Sequence, residues 1–313
     1  MIINLLYLII GFVLLIGGAN YLIKSSVAVA SKFGIPHMVV GLTIVAFGTS
    51  APELFVSLIA AIKGHPEIAV GNVVGSNIAN ILLIVGIVSV IVNIPIVNKS
   101  ILLDWTIMMI VSIIFYLFAL INKINRAGGL LLFFTLILYL SYLFSPKRKE
   151  HFEEEIPEPI KASIFLSIFI IILSIISLAF GSSLLVDNTA IIARKIGISE
   201  RIIAITIIAV GTSLPELVTS LVAAMKKNMD ISIGNIIGSN IFNIAGILGL
   251  TSIIKPIPIS YTTSNFDVYW VLGSAIFLLL ICIPLGKGKI TFLEGLIALI
   301  LYSIYIMLLL IMK

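Results

Sequence analysis

Long, continuous apolar segments restrict the fold of this chain more than any other feature. Of its 313 residues, 60% are hydrophobic and only 11% are charged, and the mean hydropathy is +1.26. Apolar segments of about 18 residues or more, separated by short polar connections, are typical of transmembrane helices. Because lipid offers no hydrogen-bond partners, such segments satisfy their backbone groups as helices. The composition therefore predicts an all-α membrane protein embedded in a lipid bilayer.

Ten such spans are predicted. Their approximate ranges are 3–23, 37–62, 68–92, 101–121, 128–144, 162–186, 199–225, 231–253, 268–285 and 291–312. A charged, proline-containing stretch interrupts the pattern at its midpoint, as expected of a solvated linker. We therefore expect one integral membrane domain with a first five-helix half at 1–144, a polar linker at 145–160 and a second five-helix half at 161–313.

The two halves repeat one another. "GTSAPE" ends at Glu53 and "GTSLPE" ends at Glu216, 163 residues later, and the same offset relates "GNVVGSNIAN" to "GNIIGSNIFN" without a gap. Roughly half of the positions from 41 to 86 are identical to their counterparts. Because each half holds an odd number of spans, consecutive copies cross the membrane in opposite directions. The sequence therefore predicts two inverted five-helix repeats, an arrangement typical of secondary transporters.

Each repeat carries a helix breaker and a glutamate in the middle of a span. Pro52 has no N–H, so the carbonyl of Gly48 loses its partner and the helix bends around Thr49 and Ser50. Glu53 lies on the same face as these hydroxyls. Burying one ionised carboxylate in a membrane costs about 2.5–3.5 kcal/mol or more, and a hard cation such as Na⁺ or Ca²⁺ offsets that cost. The second copy offers the equivalent set: Gly211, Thr212, Ser213, Pro215 and Glu216.

A second polar feature follows in the next span of each repeat. Asn72, Ser76 and Asn80 recur at four-residue spacing, as do Asn235, Ser239 and Asn243. Each trio forms a polar stripe down one helical face. The alternative is that these side chains only hold helices together, which we expect for Asn77 and Asn240. The alternative for the glutamates is a protonated structural pair, but two glutamates in symmetric helix breaks favour a function.

Other chemistries lack the residues they need. The three histidines lie at or beyond span ends, and neither an H-E-x-x-H motif nor a nucleophile elbow occurs. We therefore expect no enzyme activity, no cofactor and no obligate protein partner. The formal charge of +5 is typical of cytoplasmic loops and does not indicate nucleic-acid binding. The acidic residues near span ends are expected at the membrane interfaces; they are Asp104, Asp187, Asp267 and Glu294.

The basic residues suggest an orientation in the cell membrane. Eleven Lys and Arg residues lie in the odd-numbered loops, and the remaining 8 lie elsewhere. By the positive-inside rule, the odd-numbered loops are cytoplasmic and both termini of the multi-pass chain are extracellular.

The paired "GTSAPE"/"GTSLPE" and "GNVVGSNIAN"/"GNIIGSNIFN" motifs resemble the two alpha-repeats of the cation/calcium exchanger superfamily, specifically its prokaryotic Na⁺/Ca²⁺ exchangers. The likeness covers nearly the whole chain. It implies ten helices, a central four-site ion cluster, and antiport of Ca²⁺ against Na⁺ by sliding of the first and sixth helices.

The resemblance also implies roles for individual residues. Glu53 and Glu216 would be shared Ca²⁺ and Na⁺ ligands, and Asn80 would line the middle site. The backbone carbonyls would come from Thr49, Thr212, Ala46 and Ala209, and the hydroxyls, mainly for Na⁺, from Ser50, Ser76, Ser213 and Ser239.

One position departs from part of the family, because prokaryotic relatives and K⁺-dependent exchangers often carry Asp where this chain has Asn243. This difference bears on K⁺ coupling and on the middle site. The proton-coupled branch usually carries a "GNxxE" motif in place of "GTSxPE", and exchange of H⁺ for Ca²⁺ or another cation is the second hypothesis. An intramembrane enzyme or a passive channel built on the same polar core is the alternative from another class.

Overall fold

A computed structural model describes residues 2–95, 101–145, 163–197, 209–282 and 289–312. Its regular structure is helical apart from four strands of two residues each, which confirms the predicted all-α class. The helices are α1 (Ile2–Phe33), α2 (His37–Thr49), α3 (Ala51–Ile62), α4 (Pro66–Ile91), α5 (Ile101–Leu120), α6 (Arg126–Leu143), α7 (Ile164–Lys195), α8 (Ala209–Gly211), α9 (Leu214–Met225), α10 (Met229–Ile254), α11 (Thr263–Cys282) and α12 (Phe292–Ile311).

Most of the predicted spans are present as helices. Eight helices in the described ranges are long and apolar enough to cross a membrane: α1, α4, α5, α6, α7, α10, α11 and α12. Together, α2 and α3 pass the same test as one span bent by 44°. The span predicted at 199–225 is described only from residue 209, where α8 and α9 follow. The described residues thus account for up to nine spans, and the tenth stays a prediction.

The first helix of each half extends beyond the predicted membrane span. Both α1 and α7 have 32 residues, whereas the sequence interpretation ended them near the charged residues Lys24 and Asp187. Both of these side chains are exposed on the helix surface, so they end the apolar run without ending the helix. At 1.5 Å per residue each helix is about 48 Å long. That length exceeds the ~30 Å hydrocarbon core, so each helix tilts or projects beyond it.

Helices α1 and α7 pack against each other in antiparallel directions. Asn4 Nδ2 donates to Asn188 Oδ1 at 3.0 Å, and Ser177 Oγ donates to the Leu14 carbonyl at 2.9 Å. Residues late in α7 thus meet residues early in α1. A Cβ added at Gly11 would lie 2.9 Å from a backbone oxygen of α7, so the absence of a side chain at this position permits the close approach.

Helices α4 and α10 form the centre of the molecule. Most of α4 and nearly all of α10 is buried, whereas the outer helices turn large apolar side chains outward. Helix α10 also contacts α2 closely, because a Cβ at Gly41 would lie 2.6 Å from the Ile231 carbonyl oxygen. Both central helices contain a π-helical turn, at Ala79–Ile84 and Phe242–Leu248. Such turns are frequent at functional sites.

Four two-residue strands form two antiparallel pairs between the halves of the chain. They are β1 (Ile94–Pro95), β2 (Lys123–Ile124), β3 (Ile257–Pro258) and β4 (Lys289–Ile290). β1 pairs antiparallel with β4, and β2 pairs antiparallel with β3. Each pair takes one strand from each half of the chain. The linker predicted at 145–160 lies outside the described residues except for Ser145, and the domain boundaries around it stay a prediction.

Candidate cation-binding site

The span that carries the first GTSxPE motif is broken at Ser50. The backbone of Ser50 has φ −82° and ψ 5°, and Pro52 lies in the first turn of α3, where its missing N–H leaves no intrahelical bond unmade. The second copy breaks in the same way at Ser213, with φ −86° and ψ 5° and with Pro215 in the first turn of α9. The predicted helix break is thus present in both copies.

Each break places a glutamate in the first turn of the following helix, Glu53 in α3 and Glu216 in α9. The partial positive charge at a helix N-terminus favours a carboxylate there. Both side chains are buried, with exposed fractions of 0% and 1%, and they lie near enough to interact electrostatically. Two buried carboxylates require a compensating positive charge or protons.

The two glutamates have different hydrogen-bond partners. Ser50 Oγ donates to Glu216 Oε1 at 2.9 Å, which connects the first repeat to the second. Glu216 Oε2 and both side-chain oxygens of Glu53 have no hydrogen-bond partner within the described ranges. Three of the four carboxylate oxygens are therefore available to a ligand.

Hydroxyl and amide groups surround the carboxylates. Ser76 lies beside Glu53, and Asn80 follows it one helical turn later on the same face of α4. Ser239 and Asn243 hold the equivalent positions on α10. Each of these four side chains, and Ser213, is buried and has an oxygen without a partner among the residues that the structure describes. An unpaired buried polar group costs about 1–3 kcal/mol, so this accumulation indicates a ligand that satisfies oxygen atoms.

Two asparagines donate hydrogen bonds to the helices that follow the breaks. Asn72 Nδ2 donates to the Glu53 backbone oxygen at 3.2 Å and to Ser57 Oγ at 3.1 Å. Asn235 Nδ2 makes the same pair of bonds in the second copy, to the backbone oxygen of the glutamate at 3.3 Å and to Ser220 Oγ at 2.9 Å. These bonds fix the first turns of α3 and α9. The two serines were not predicted, although the repeat offset relates them to each other.

Thr49 connects the first helix break to α10. Its hydroxyl donates to Asn235 Oδ1 at 3.0 Å and also approaches the Ala46 carbonyl at 3.3 Å. The Ser50 N–H donates to the same carbonyl at 3.0 Å. Because the Thr49 hydroxyl has one proton and its shorter contact is with Asn235, the Ser50 N–H is the main donor to the Ala46 oxygen.

The carbonyl residues of the second copy are described in less detail. Ala209 begins α8, and Thr212 is half-buried next to the break. The structure thus brings Glu53, Glu216, Ser50, Ser76 and Thr49 into direct proximity. The remaining predicted ligands lie on the same buried helices or at the second break: Ser213, Ser239, Asn80, Asn243, Ala46, Ala209 and Thr212.

The donor set is that of a hard cation. It consists of two carboxylates with hydroxyl, amide and carbonyl oxygens, which suit ions such as Ca²⁺ and Na⁺. In the described part of the chain, no group of three or more His, Cys, Asp or Glu side chains is placed to hold a metal ion. The site therefore fits a hard cation bound by few formal charges and many neutral oxygens.

Comparison with known proteins identifies the family. Residues 3–145 and 166–311 match the sequence family that is described as "Sodium/calcium exchanger protein". The chain belongs to this family. It is 32% identical to the sodium/calcium exchanger MaX1 of Methanosarcina acetivorans over 98% of both chains. It is also 32% identical to the inner membrane protein YrbG of Escherichia coli, over 88% of this chain and 87% of that protein.

A solved structure in the family has the same fold. The sodium-calcium exchanger NCX_Mj superposes with a TM-score of 0.81 at 31% identity, over 98% of this chain and 99% of that one. The study of that protein concerns extracellular ion exchange and induced occlusion of its binding site. The relatives and structural neighbours of this chain are membrane transporters. This member of the sodium/calcium exchanger family is accordingly a multi-pass membrane protein of the antiporter type.

Proposed function

We propose that this exchanger-family protein is a secondary-active antiporter that exchanges Ca²⁺ for Na⁺ across the cell membrane by alternating access. The observation that carries the proposal is the pair of repeat-related, buried glutamates, with three of their four carboxylate oxygens unpartnered in the described ranges. A midplane site at two helix breaks suits an ion that is bound from either face in turn. The name of the M. acetivorans relative, a sodium/calcium exchanger, adds support.

Charge balance distinguishes the two ions at this site. One Ca²⁺ neutralises the ionised pair Glu53 and Glu216, which we assign as ligands shared by both ions. Several Na⁺ ions can replace Ca²⁺ only if they also use neutral oxygens. We assign that role to the surrounding hydroxyls and amides, Ser50, Ser76, Ser213, Ser239, Asn80 and Asn243.

Backbone carbonyls complete the proposed ligand set, from Ala46, Thr49, Ala209 and Thr212. The Ala46 oxygen accepts a bond from the Ser50 N–H, and the Thr49 hydroxyl approaches it at 3.3 Å. When the single Thr49 proton is donated to Asn235, one lone pair of the Ala46 carbonyl is available for a cation.

Helix packing supports the proposal that the two repeats are inverted. The 163-residue offset that relates Glu53 to Glu216 also relates α1 to α7, and these two helices pack antiparallel, with Asn4 against Asn188 and Leu14 against Ser177. Equivalent helices of two inverted repeats are expected to cross the membrane in opposite directions.

Strand pairing supports the same proposal independently. Helix α4 leads into β1, and α10 leads into β3. α5, which is long enough to cross the membrane once, separates β1 from β2, and β2 pairs with β3. If α5 crosses, β1 and β3 lie at opposite faces, and α4 and α10 run in opposite directions. We accordingly propose ten spans in two inverted five-helix repeats, with extracellular termini and the linker at 145–160 in the cytoplasm.

Transport by the purified protein tests the function. Proteoliposomes loaded with Na⁺ are diluted into Na⁺-free choline medium, and ⁴⁵Ca²⁺ uptake is measured. A protonophore at equal internal and external pH holds the membrane potential near zero. We expect uptake that depends on the outward Na⁺ gradient. Vesicles that carry only a pH gradient, without protonophore, form the second arm, and uptake driven by that gradient alone would replace Na⁺ coupling with H⁺ coupling.

A third arm tests whether K⁺ is required. Asn243 adds no charge to the site, so the glutamate pair alone sets its negative charge, and a third cation has no third carboxylate to neutralise. We therefore expect equal uptake rates in external choline and external K⁺. Strict dependence on K⁺ would contradict this part of the proposal.

A further inference from the structure

Three asparagines form a chain of hydrogen bonds between the two central helices. Asn77 on α4 donates from Nδ2 to the backbone oxygen of Asn240 on α10 at 3.2 Å. Asn243 Nδ2 donates to Asn77 Oδ1 at 3.0 Å. All three side chains are buried, with exposed fractions of 1%, 1% and 0% in sequence order. The chain of bonds starts on the backbone of α10, passes through a side chain of α4 and returns to α10.

The first acceptor in this chain determines the orientation of both amides. A backbone carbonyl can only accept a hydrogen bond, so Asn77 must present its NH₂ group to Asn240. The Asn77 oxygen then faces Asn243, which must present its own NH₂ group in return. The Asn243 oxygen is left pointing away from Asn77, buried and without a partner within the described ranges.

We propose that Asn77 is a positioning residue that holds the Asn243 amide with its oxygen, and not its NH₂ group, toward the transported cation. This inference rests on the function proposed above. An amide oxygen attracts a cation, whereas an NH₂ group repels it and would be drawn to the buried carboxylates. Asn77 therefore acts on the ion through Asn243 without being a ligand.

The repeat-equivalent residues do not form the same hydrogen bonds in the described structure. Asn240, which corresponds to Asn77, donates to the Ile236 carbonyl of its own helix at 2.8 Å. Asn80, which corresponds to Asn243, has neither side-chain atom hydrogen-bonded to a described residue. Asn80 is thus free to turn its oxygen toward an ion, whereas Asn243 is held. Asn240 supplies a matched control, because it is as buried as Asn77 and occupies the same helical position.

Equilibrium binding of ⁴⁵Ca²⁺ to the purified full-length protein in detergent tests the proposal. Asn77→Leu keeps the side-chain size and removes both bonds. We expect its dissociation constant for Ca²⁺ to rise about tenfold, the lower end of what loss of a ligand-orienting partner costs. Asn240→Leu should bind with a dissociation constant close to that of the wild type. Thermal unfolding verifies that both variants are folded, and Asn77→Ala replaces Asn77→Leu if the latter is not.

A double-mutant cycle separates positioning from a general structural role. If Asn77 acts through Asn243, adding Asn77→Leu to Asn243→Ala leaves the dissociation constant of Asn243→Ala unchanged. Additive losses, equal losses in Asn77→Leu and Asn240→Leu, or unchanged binding by Asn77→Leu would each overturn the proposal. A wild type that binds Ca²⁺ without Na⁺-driven uptake would contradict the coupling ion alone, whereas a wild type that binds no Ca²⁺ would overturn both.

Discussion

The two GTSxPE half-sites share a sequence motif and differ in their hydrogen bonds. Both contain a helix break, a buried glutamate and an asparagine that holds the glutamate backbone. Glu216 accepts a bond from Ser50 of the first repeat. Neither carboxylate oxygen of Glu53 has a partner in the described residues, and the same is true of the Ser213 hydroxyl, the repeat counterpart of Ser50. Since the motif residues correspond, the motif alone does not account for this difference.

Such a difference is what alternating access requires. Two inverted halves in identical conformations would present the site equally to both faces of the membrane. In the antiporter that we propose, only one of the two serine–glutamate pairs between the halves, Ser50 with Glu216 or Ser213 with Glu53, is hydrogen-bonded in each state. We expect the opposite state to pair Ser213 with Glu53 and to release Ser50 from Glu216.

The surroundings of the half-sites also differ in sequence. Phe47 and Phe242 lie with ring centroids 5.8 Å apart, and together with Ser50 they line a cavity of about 90 Å³. The repeat offset places Val210 and Ala79 at the corresponding positions. The cavity beside Ser50 is thus bordered by two phenylalanines, and the repeat-equivalent positions carry a valine and an alanine, so the two halves are only approximately equivalent.

The largest expected effect comes from neutralising either half-site. Glu53→Gln and Glu216→Gln should each abolish Ca²⁺ uptake, because a divalent cation in a low-dielectric site is left undercompensated by one carboxylate. Proteoliposome uptake near the wild-type half-saturating Ca²⁺ concentration measures the effect. Glu67→Gln, which alters an exposed glutamate at the start of α4, is the control and should transport normally. Near-native flux in either site variant would remove that glutamate from the ligand set.

An all-or-none result is also expected for the orientation of the two halves. Lys63 and Lys226 are exposed, repeat-equivalent residues that follow α3 and α9. In a Cys282→Ala background, Lys63→Cys should react with an impermeant maleimide in intact cells and Lys226→Cys only after lysis. Labelling of both variants from the same face would contradict the inverted repeats, and the reverse pattern would place the termini in the cytoplasm.

The sequence predicts the features of this site that have local signals. Proline positions predict both helix breaks, and the constant offset of 163 residues pairs Glu53 with Glu216. The spans predicted at 3–23 and 162–186 end next to Lys24 and Asp187, whereas the helices α1 and α7 continue past these exposed side chains.

Contacts between distant segments were not predictable. Asp104, which stays a prediction for a membrane interface, is fully buried within the protein and accepts a hydrogen bond from the Tyr139 hydroxyl at 3.1 Å, a contact that the sequence does not indicate. Asn77 holds two helices together as expected, but its partner Asn243, 166 residues away, could not be named from the sequence. The different hydrogen bonding of the two half-sites could not be predicted either, because matching motifs do not indicate which copy forms a given bond.

A smaller effect should distinguish the two supporting asparagines. Asn72→Leu removes two side-chain bonds, whereas Asn235→Leu removes the equivalent two and the bond from Thr49. At about 1 kcal/mol per net hydrogen bond, Asn235→Leu should be the less stable protein by roughly that amount. Thermal unfolding in detergent provides the comparison. A lower melting temperature for Asn72→Leu than for Asn235→Leu would contradict the prediction that Asn235 contributes more to stability.

The smallest expected effect separates the two serines. Ser50→Ala and Ser213→Ala each remove a proposed Na⁺ ligand, so both should raise the half-saturating Na⁺ concentration. Of these two serines, Ser50 alone donates to a carboxylate among the described residues, and Ca²⁺ must compete with that bond for Glu216 Oε1. Ser50→Ala should therefore lower the half-saturating Ca²⁺ concentration by about two- to threefold, less than 1 kcal/mol and at the low end for a hydrogen bond, while Ser213→Ala leaves it unchanged. Concentration curves for ⁴⁵Ca²⁺ uptake by the two variants measure the difference. Equal Ca²⁺ curves would mean that the hydrogen bonds of the half-sites exchange too readily for one to be favoured.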